Sequence, residues 1–202
     1  MARRSDHSRE ELKELILDSA ADIVKQEGLA ALTARRVADA IGYSPGTLYN
    51  LFANLDDLVL HLNGRTLDHL RDDLANVPLS GNAKADTGAL AAAYLRYLEK
   101  QPALWQLLFD HKLPDGAELP AWYAEHIGQT LSILERALAP AYVNNTAGAE
   151  NAARILWASL HGICSLASSG KLPVVSSQTV TEMVTTLVEN FIAGVIANKA
   201  GD

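Results

Sequence analysis

The chain has 202 residues, 49% of them hydrophobic and 20% charged, with a formal net charge of -7. That length and apolar content support a sizeable core in one domain or two small ones and exclude a disordered chain, while a single cysteine, Cys164, excludes an intramolecular disulfide and suits a reducing compartment. Met1-Ala2-Arg3-Arg4 leads into polar residues and no stretch approaches the roughly 20 apolar residues of a bilayer span, so neither a leader peptide nor a membrane segment is expected.

In chain order, the first predicted helix carries Leu12, Leu15, Ile16, Ile23 and Val24 on one stripe and ends at Glu27-Gly28. Thr33 is a good N-cap for a helix running to about Ile41, with Val37, Ala38 and Ile41 facing inward and Arg35, Arg36 and Asp39 wet. Gly42 stops it and permits the left-handed backbone that a two-helix corner requires. A second helix opens with Ser44 as N-cap and Pro45 at its first position, where proline loses no useful hydrogen bond. Leu48, Leu51 and Phe52 turn toward the core, leaving Gly46, Thr47, Tyr49 and Asn50 on one outward surface. A short helix with small, hydrogen-bonding, uncharged side chains suits insertion into a groove.

Asn54 can cap a long connecting helix that reaches about Val77, carrying Leu55, Leu58, Leu62, Leu70 and Leu74 at helical spacing, with Gly64 as its weak point. Pro78 to Gly88 reads as a loop. Helical spacing then resumes over Ala89 to Lys100, Pro102 to Lys112, Ala121 to Leu138, Glu150 to Ser169 and Gln178 to Asn198. The breakers are Pro102, Pro114-Asp115-Gly116, Pro140 and a last turn at Gly170-Lys171-Leu172-Pro173. With no trustworthy alternating pattern, the expectation is an all-α protein of about nine helices, divided into a DNA-binding domain over 1–54 and a helical domain over 55–202.

The last two helices are apolar over a stripe too wide for one packing partner, which points to a second copy of the chain. The residues expected at that interface are Ile163, Leu166, Met183, Leu187, Val188, Phe191, Ile192 and Val195. Tyr94, Tyr97, Trp105, Phe109, Trp122, Tyr123 and His126 concentrate in the middle helices, with Trp157 and His161 further on. Such aromatic walls suit an apolar or planar ligand, although the same residues would make an ordinary core.

Metal binding and cofactors are not expected, because His61 and His69 are eight apart on one helix and Cys164 is remote in sequence. No paired carboxylates, nucleophile elbow, phosphate-cradling glycine loop or HExxH pattern supports an enzyme. The acidic balance looks wrong for a nucleic-acid binder, but Arg3, Arg4 and Arg9 form a basic arm and Arg35 and Arg36 sit beside the two-helix corner.

The ordered string Thr33, Val37, Ala38, Ile41, Gly42, Tyr43, Ser44, Gly46, Leu48, Tyr49 and Phe52 resembles the helix-turn-helix signature of the TetR (tetracycline repressor-like) family. Trp157, His161 and Gly162 form W-x-x-x-H-G, similar to a C-terminal domain type of a subset of those regulators. The resemblance implies a cytoplasmic homodimer on a palindromic double-stranded operator, released by a small apolar or aromatic effector bound in the C-terminal domain. Residues implied at the DNA are Thr33, Arg35, Arg36, Tyr43, Ser44, Pro45, Gly46, Thr47, Tyr49, Asn50 and Asn54. An activator, a ligand-independent regulator and a helical enzyme are the alternatives. One departure stands out: where such proteins commonly place a phosphate-binding lysine, this chain has Leu55.

Overall fold

Ser8 starts the first helix by a reciprocal cap. Its hydroxyl accepts from the Glu11 amide at 3.2 Å, and the Glu11 carboxylate accepts from the Ser8 amide. The resulting α1 (Arg9–Glu27) buries Ile16, Leu17, Ala20, Ala21, Ile23 and Val24 and ends at Gly28. The structure is a computed structural model and describes residues 7–199; Arg3 and Arg4 of the expected basic arm lie outside the described residues. After a 3-10 turn (Leu29–Ala31) come α2 (Ala34–Ile41), α3 (Pro45–Tyr49), α4 (Leu55–Ala75), α5 (Ala83–Lys100), α6 (Pro102–Asp110), α7 (Ala121–Leu138), a second 3-10 turn (Ala139–Ala141), α8 (Thr146–Ser168), α9 (Leu172–Val175) and α10 (Val180–Lys199). No strand occurs among the described residues, as the all-α reading requires.

Several boundaries differ from expectation; α8, for one, starts at Thr146 rather than Glu150 because Asn145 caps it through the Gly148 amide. The Pro78–Gly88 loop is shorter, because Asn82 caps α5 through the Ala85 amide and the helix starts at Ala83. The predicted turn at Gly170–Pro173 runs into the one-turn α9, which starts at Leu172 and brings the α-helices among the described residues to ten rather than nine.

The chain forms two compact units. The first contains residues up to Thr66 together with Ala103–Tyr123. Its core joins Ile16, Val24, Val37, Leu48, Phe52, Leu58 and Leu62 to Leu104 and Leu107 of α6. Residues 103–123 therefore pack with the two-helix corner, a partner that their own helical pattern does not specify. The second unit comprises Leu67–Pro102 and Ala124–Asp202, in which α10 packs on α5 and α8 around Leu90, Tyr94, Leu156, Leu160, Val184 and Ile192. Over Val180–Ala197, α10 is long and apolar enough by composition alone to cross a bilayer, although one face of it packs inside this unit.

The turn before α5 is organised by Asp86, a buried carboxylate. It accepts from the Ser80 amide and hydroxyl, each at 2.7 Å, and from the Gly81 amide at 2.9 Å, where Gly81 has φ +83°. The Ser80 amide, followed by its hydroxyl and the Gly81 amide, holds the Asp86 carboxyl below its ordinary value. A lowered folded-state value stabilises the fold fully above the unfolded-state value of about 3.9, and that contribution is lost as pH falls through the folded-state value. Asp86→Ala is accordingly expected to melt below the wild type at pH 7, with the gap closing as pH falls below about 4; thermal melts at both pH values check this.

Cys164 of α8 is fully buried in the second unit, and burial pushes its thiol up to about 12.

Candidate nucleic-acid interface and ligand cavity

The corner is built from backbone requirements upward. The Thr33 hydroxyl accepts from the Arg36 amide at 3.2 Å, starting α2. Gly42 ends α2 in the left-handed region at φ 72°, ψ 28°, which favours glycine. Ser44 is extended at φ -92°, ψ 153°, with Pro45 following at the start of α3. The Ser44 hydroxyl caps no amide; it lies 3.1 Å from the Thr47 hydroxyl instead. Leu48 and Phe52 are buried, whereas Ser44, Pro45, Gly46 and Asn50 are exposed, Thr47 is half-buried and Tyr49 is 53% exposed. Tyr43 is half-buried, and its hydroxyl lies 2.8 Å from Nδ1 of His7, tying the segment before α1 to the corner.

Arg36 and Arg35 beside this surface each face a carboxylate of the same chain. Arg36 donates to both carboxylate oxygens of Glu27, one at 2.9 Å, and this pairing holds the Glu27 carboxyl below and the Arg36 guanidinium above their ordinary values. Arg35 lies 3.9 Å from Asp39 one turn on. Glu27 is the partner that sequence reading missed, since it is nine positions away across a turn.

The N-terminus of α4 is closed by Asn54, whose side chain accepts from the Asp57 amide at 2.8 Å, while Asp57 accepts from the Ala53 amide at 2.8 Å. Two amides that could meet a phosphate are thus occupied. Leu55 packs against the core, so the position that departs from the family pattern has a structural occupation of its own. Asp56 and Asp57 pair with His111 at 2.9 Å and His61 at 3.8 Å.

The expected aromatic residues divide between the two units. In the first, Trp105 is buried and packs on Phe109 at 5.3 Å between ring centroids, while Trp122 stacks on His61 at 4.6 Å and meets Tyr123 edge-on at 5.6 Å. These four behave as core and packing residues there. In the second unit, Tyr97 is buried, which raises its phenol, and His126 places Nδ1 3.0 Å from Asp68. Trp157 stacks on His161 at 5.5 Å and 14°, and Nδ1 of His161 lies 3.4 Å from the Tyr94 hydroxyl. Burial lowers the His161 imidazole, favouring its neutral form.

Tyr94 and Trp157 are the two expected ligand residues that line a cavity of about 50 Å³ in the second unit. The remaining wall is mostly leucine, with Thr87 and Thr130, and carries no charged side chain. Thr87, Leu90, Ala91 and Tyr94 fall at helical spacing along α5, and reading Pro78 to Gly88 as a loop leaves Thr87 out of that series.

The expected interface residues also separate. Val188 and Ile192 are 4% and 0% exposed, so they belong to the interior of the unit rather than to its surface. Ile163, Leu166, Met183, Leu187, Phe191 and Val195 are half-buried, with Ile155 and Ile196 exposed nearby on the same two helices. The stripes Val184-Val188-Ile192 and Met183-Leu187-Phe191-Val195 run one residue apart along α10, about 100° around the helix, and only tertiary packing decides which is inside.

A left-handed glycine corner presenting an uncharged polar helix face, in a chain whose second helical unit carries an apolar pocket, is the architecture of a helix-turn-helix protein. Residues 16–62 match the bacterial regulatory proteins of the tetR family, and residues 88–191 match the tetracyclin repressor-like C-terminal domain. The chain belongs to the TetR family of DNA-binding transcriptional regulators, which are not enzymes. It is 27% identical over 174 residues to an uncharacterized HTH-type transcriptional regulator of Mycobacterium tuberculosis, covering 85% of this chain and 78% of that protein. A structure of a protein with unknown function from Rhodococcus sp. RHA1 superposes with a TM-score of 0.74 at 24% identity, covering 96% of this chain and 98% of the other. A tetR-family transcriptional regulator from Streptomyces coelicolor gives 0.63 at 20% identity, covering 96% and 84%.

Proposed function

We propose that the protein is a cytoplasmic repressor that binds a palindromic operator as a homodimer and is released by a small apolar effector. The observation that carries the DNA part is Tyr49, a large aromatic side chain 53% exposed on a five-residue helix whose opposite face is core. Thr47 and Asn50 flank it, giving hydrogen-bonding groups for base edges and sugar-phosphate. Arg35 and Arg36 reach phosphates by exchanging Asp39 and Glu27 for them. The first unit reads DNA; the second holds the effector in its leucine-lined cavity and pairs with a second copy.

Pairing is supported by the outward stripe of Met183, Leu187, Phe191 and Val195, with Ile163 and Leu166 on α8, none of them charged. Gly162 and Gly194 have open space where a side chain would project, room for a partner helix to approach. Two-fold pairing sets recognition helices about 34–36 Å apart, the spacing of successive half-sites. An effector that binds better to a form with the wrong spacing shifts the population away from DNA.

Tyr49→Ala and Thr47→Ala are expected to weaken operator binding by about tenfold each, at 1–3 kcal/mol per base-reading contact. Gel shifts on an operator selected from genomic fragments measure this, while sizing should show an unchanged assembly. The repressor reading is tested by deleting the gene beside a promoter reporter: target expression should rise, and a fall overturns it.

A further inference from the structure

The leucine-lined cavity, smaller than the pocket of about 420 Å³ that Lys84, Arg96 and Glu99 line in the same unit, is unusual in one hydroxyl. Three threonines are buried among the described residues, Thr66, Thr87 and Thr130. Thr66 and Thr130 each donate to the carbonyl four residues back, Leu62 and His126, at 2.9 Å. Thr87, only 1% exposed, does not, and its hydroxyl has no partner among the described residues although it lines the cavity. A buried hydroxyl left unpaired opposes folding unless something else satisfies it.

The wall around it limits what that something can be. Leucines dominate, the Tyr94 hydroxyl already lies beside Nδ1 of His161, and no lysine, arginine, aspartate or glutamate lines the space. An ionised guest would surrender its hydration without finding a counter-charge. The volume of about 50 Å³ is a third of the roughly 150 Å³ apolar cavity that accepts benzene, so an occupant that leaves the leucines in place has only a few heavy atoms.

We infer that the occupant of this cavity is an uncharged molecule with a compact hydrocarbon body and one oxygen, held by a hydrogen bond to the Thr87 hydroxyl. This rests on reading the cavity as the effector site, and a threonine hydroxyl serves either a ketone, as donor, or an alcohol, as donor or acceptor.

The test uses the full chain and four probes of four heavy atoms each, acetone, 2-propanol, acetate and isopropylammonium, titrated at pH 7 by ligand-observed NMR. Acetone and 2-propanol should bind and compete, with the two ions about 100-fold weaker or undetected. Thr87→Val should weaken both neutral probes by about three- to tenfold, the measure of one hydrogen bond, while Thr87→Ser keeps them. In the ligand-free protein Thr87→Val should melt about 2–4 °C higher, since it removes an unpaired polar group, and that rise shows the variant is folded. Acetate binding as tightly as acetone, absence of any neutral binding, or Thr87→Val leaving both affinities unchanged overturns the inference. Neutral probes that bind through Thr87 yet leave the operator complex intact overturn the effector role and leave the ligand class standing.

Discussion

Phe52→Ala is expected to destabilise the first unit by about 3–5 kcal/mol, the range for deleting a buried aromatic ring. Phe52 is 2% exposed in the core beside Leu48 and Val37, meets His61 edge-on at 5.4 Å, and its amide donates to the Leu48 carbonyl at 2.9 Å where α3 ends. The ring both fills the core and fixes the orientation of the helix that carries Tyr49. Operator binding should therefore fall together with stability. Tyr49→Ala separates the two effects, because an exposed side chain can lose DNA affinity at an unchanged melting temperature. Chemical denaturation of both variants decides the matter: an unchanged midpoint for Phe52→Ala would show that the ring does not anchor α3.

Phe191→Asp is expected to halve the sedimentation mass. Phe191 lies on the half-buried stripe of α10, flanked by Leu187 and Val195, and a carboxylate placed there would be shut in without a partner if a second chain covers it. A monomer grips one half-site, so operator affinity should drop by at least about 100-fold, consistent with the avidity that linked sites lose when separated. An unchanged mass would exclude this surface as the interface. Val188→Ala provides the contrast: three residues earlier on the same helix, Val188 is 4% exposed inside the unit, so the expected effect there is a loss of stability with the assembly intact.

The corner was legible because its requirements are local. A capping threonine, a left-handed glycine, a proline at the first helical position and apolar residues three or four apart constrain their neighbours directly, and Thr33, Gly42, Pro45 and Phe52 stand where such rules put them. What depends on tertiary partners was not legible. Glu27 meets Arg36 across a turn, α6 supplies Leu104 and Leu107 to a core begun by α1, and Val188 and Phe191 exchange no information in sequence about which faces inward. The cavity was half legible for the same reason. Aromatic residues draw the eye, yet most of its wall is leucine, and its one unpaired polar group is a threonine in a segment rich in loop-forming residues.

The single cysteine has a practical consequence for following this molecule at work. Thiol reagents attack the thiolate, and a thiol pushed up to about 12 and sealed in the interior offers almost none near neutral pH. The native chain is thus a silent background for labelling chemistry. A cysteine introduced at Val143, 65% exposed in the turn before α8, would be the fast-reacting thiol, so a spin label there could report the distance between two copies without first engineering Cys164 away.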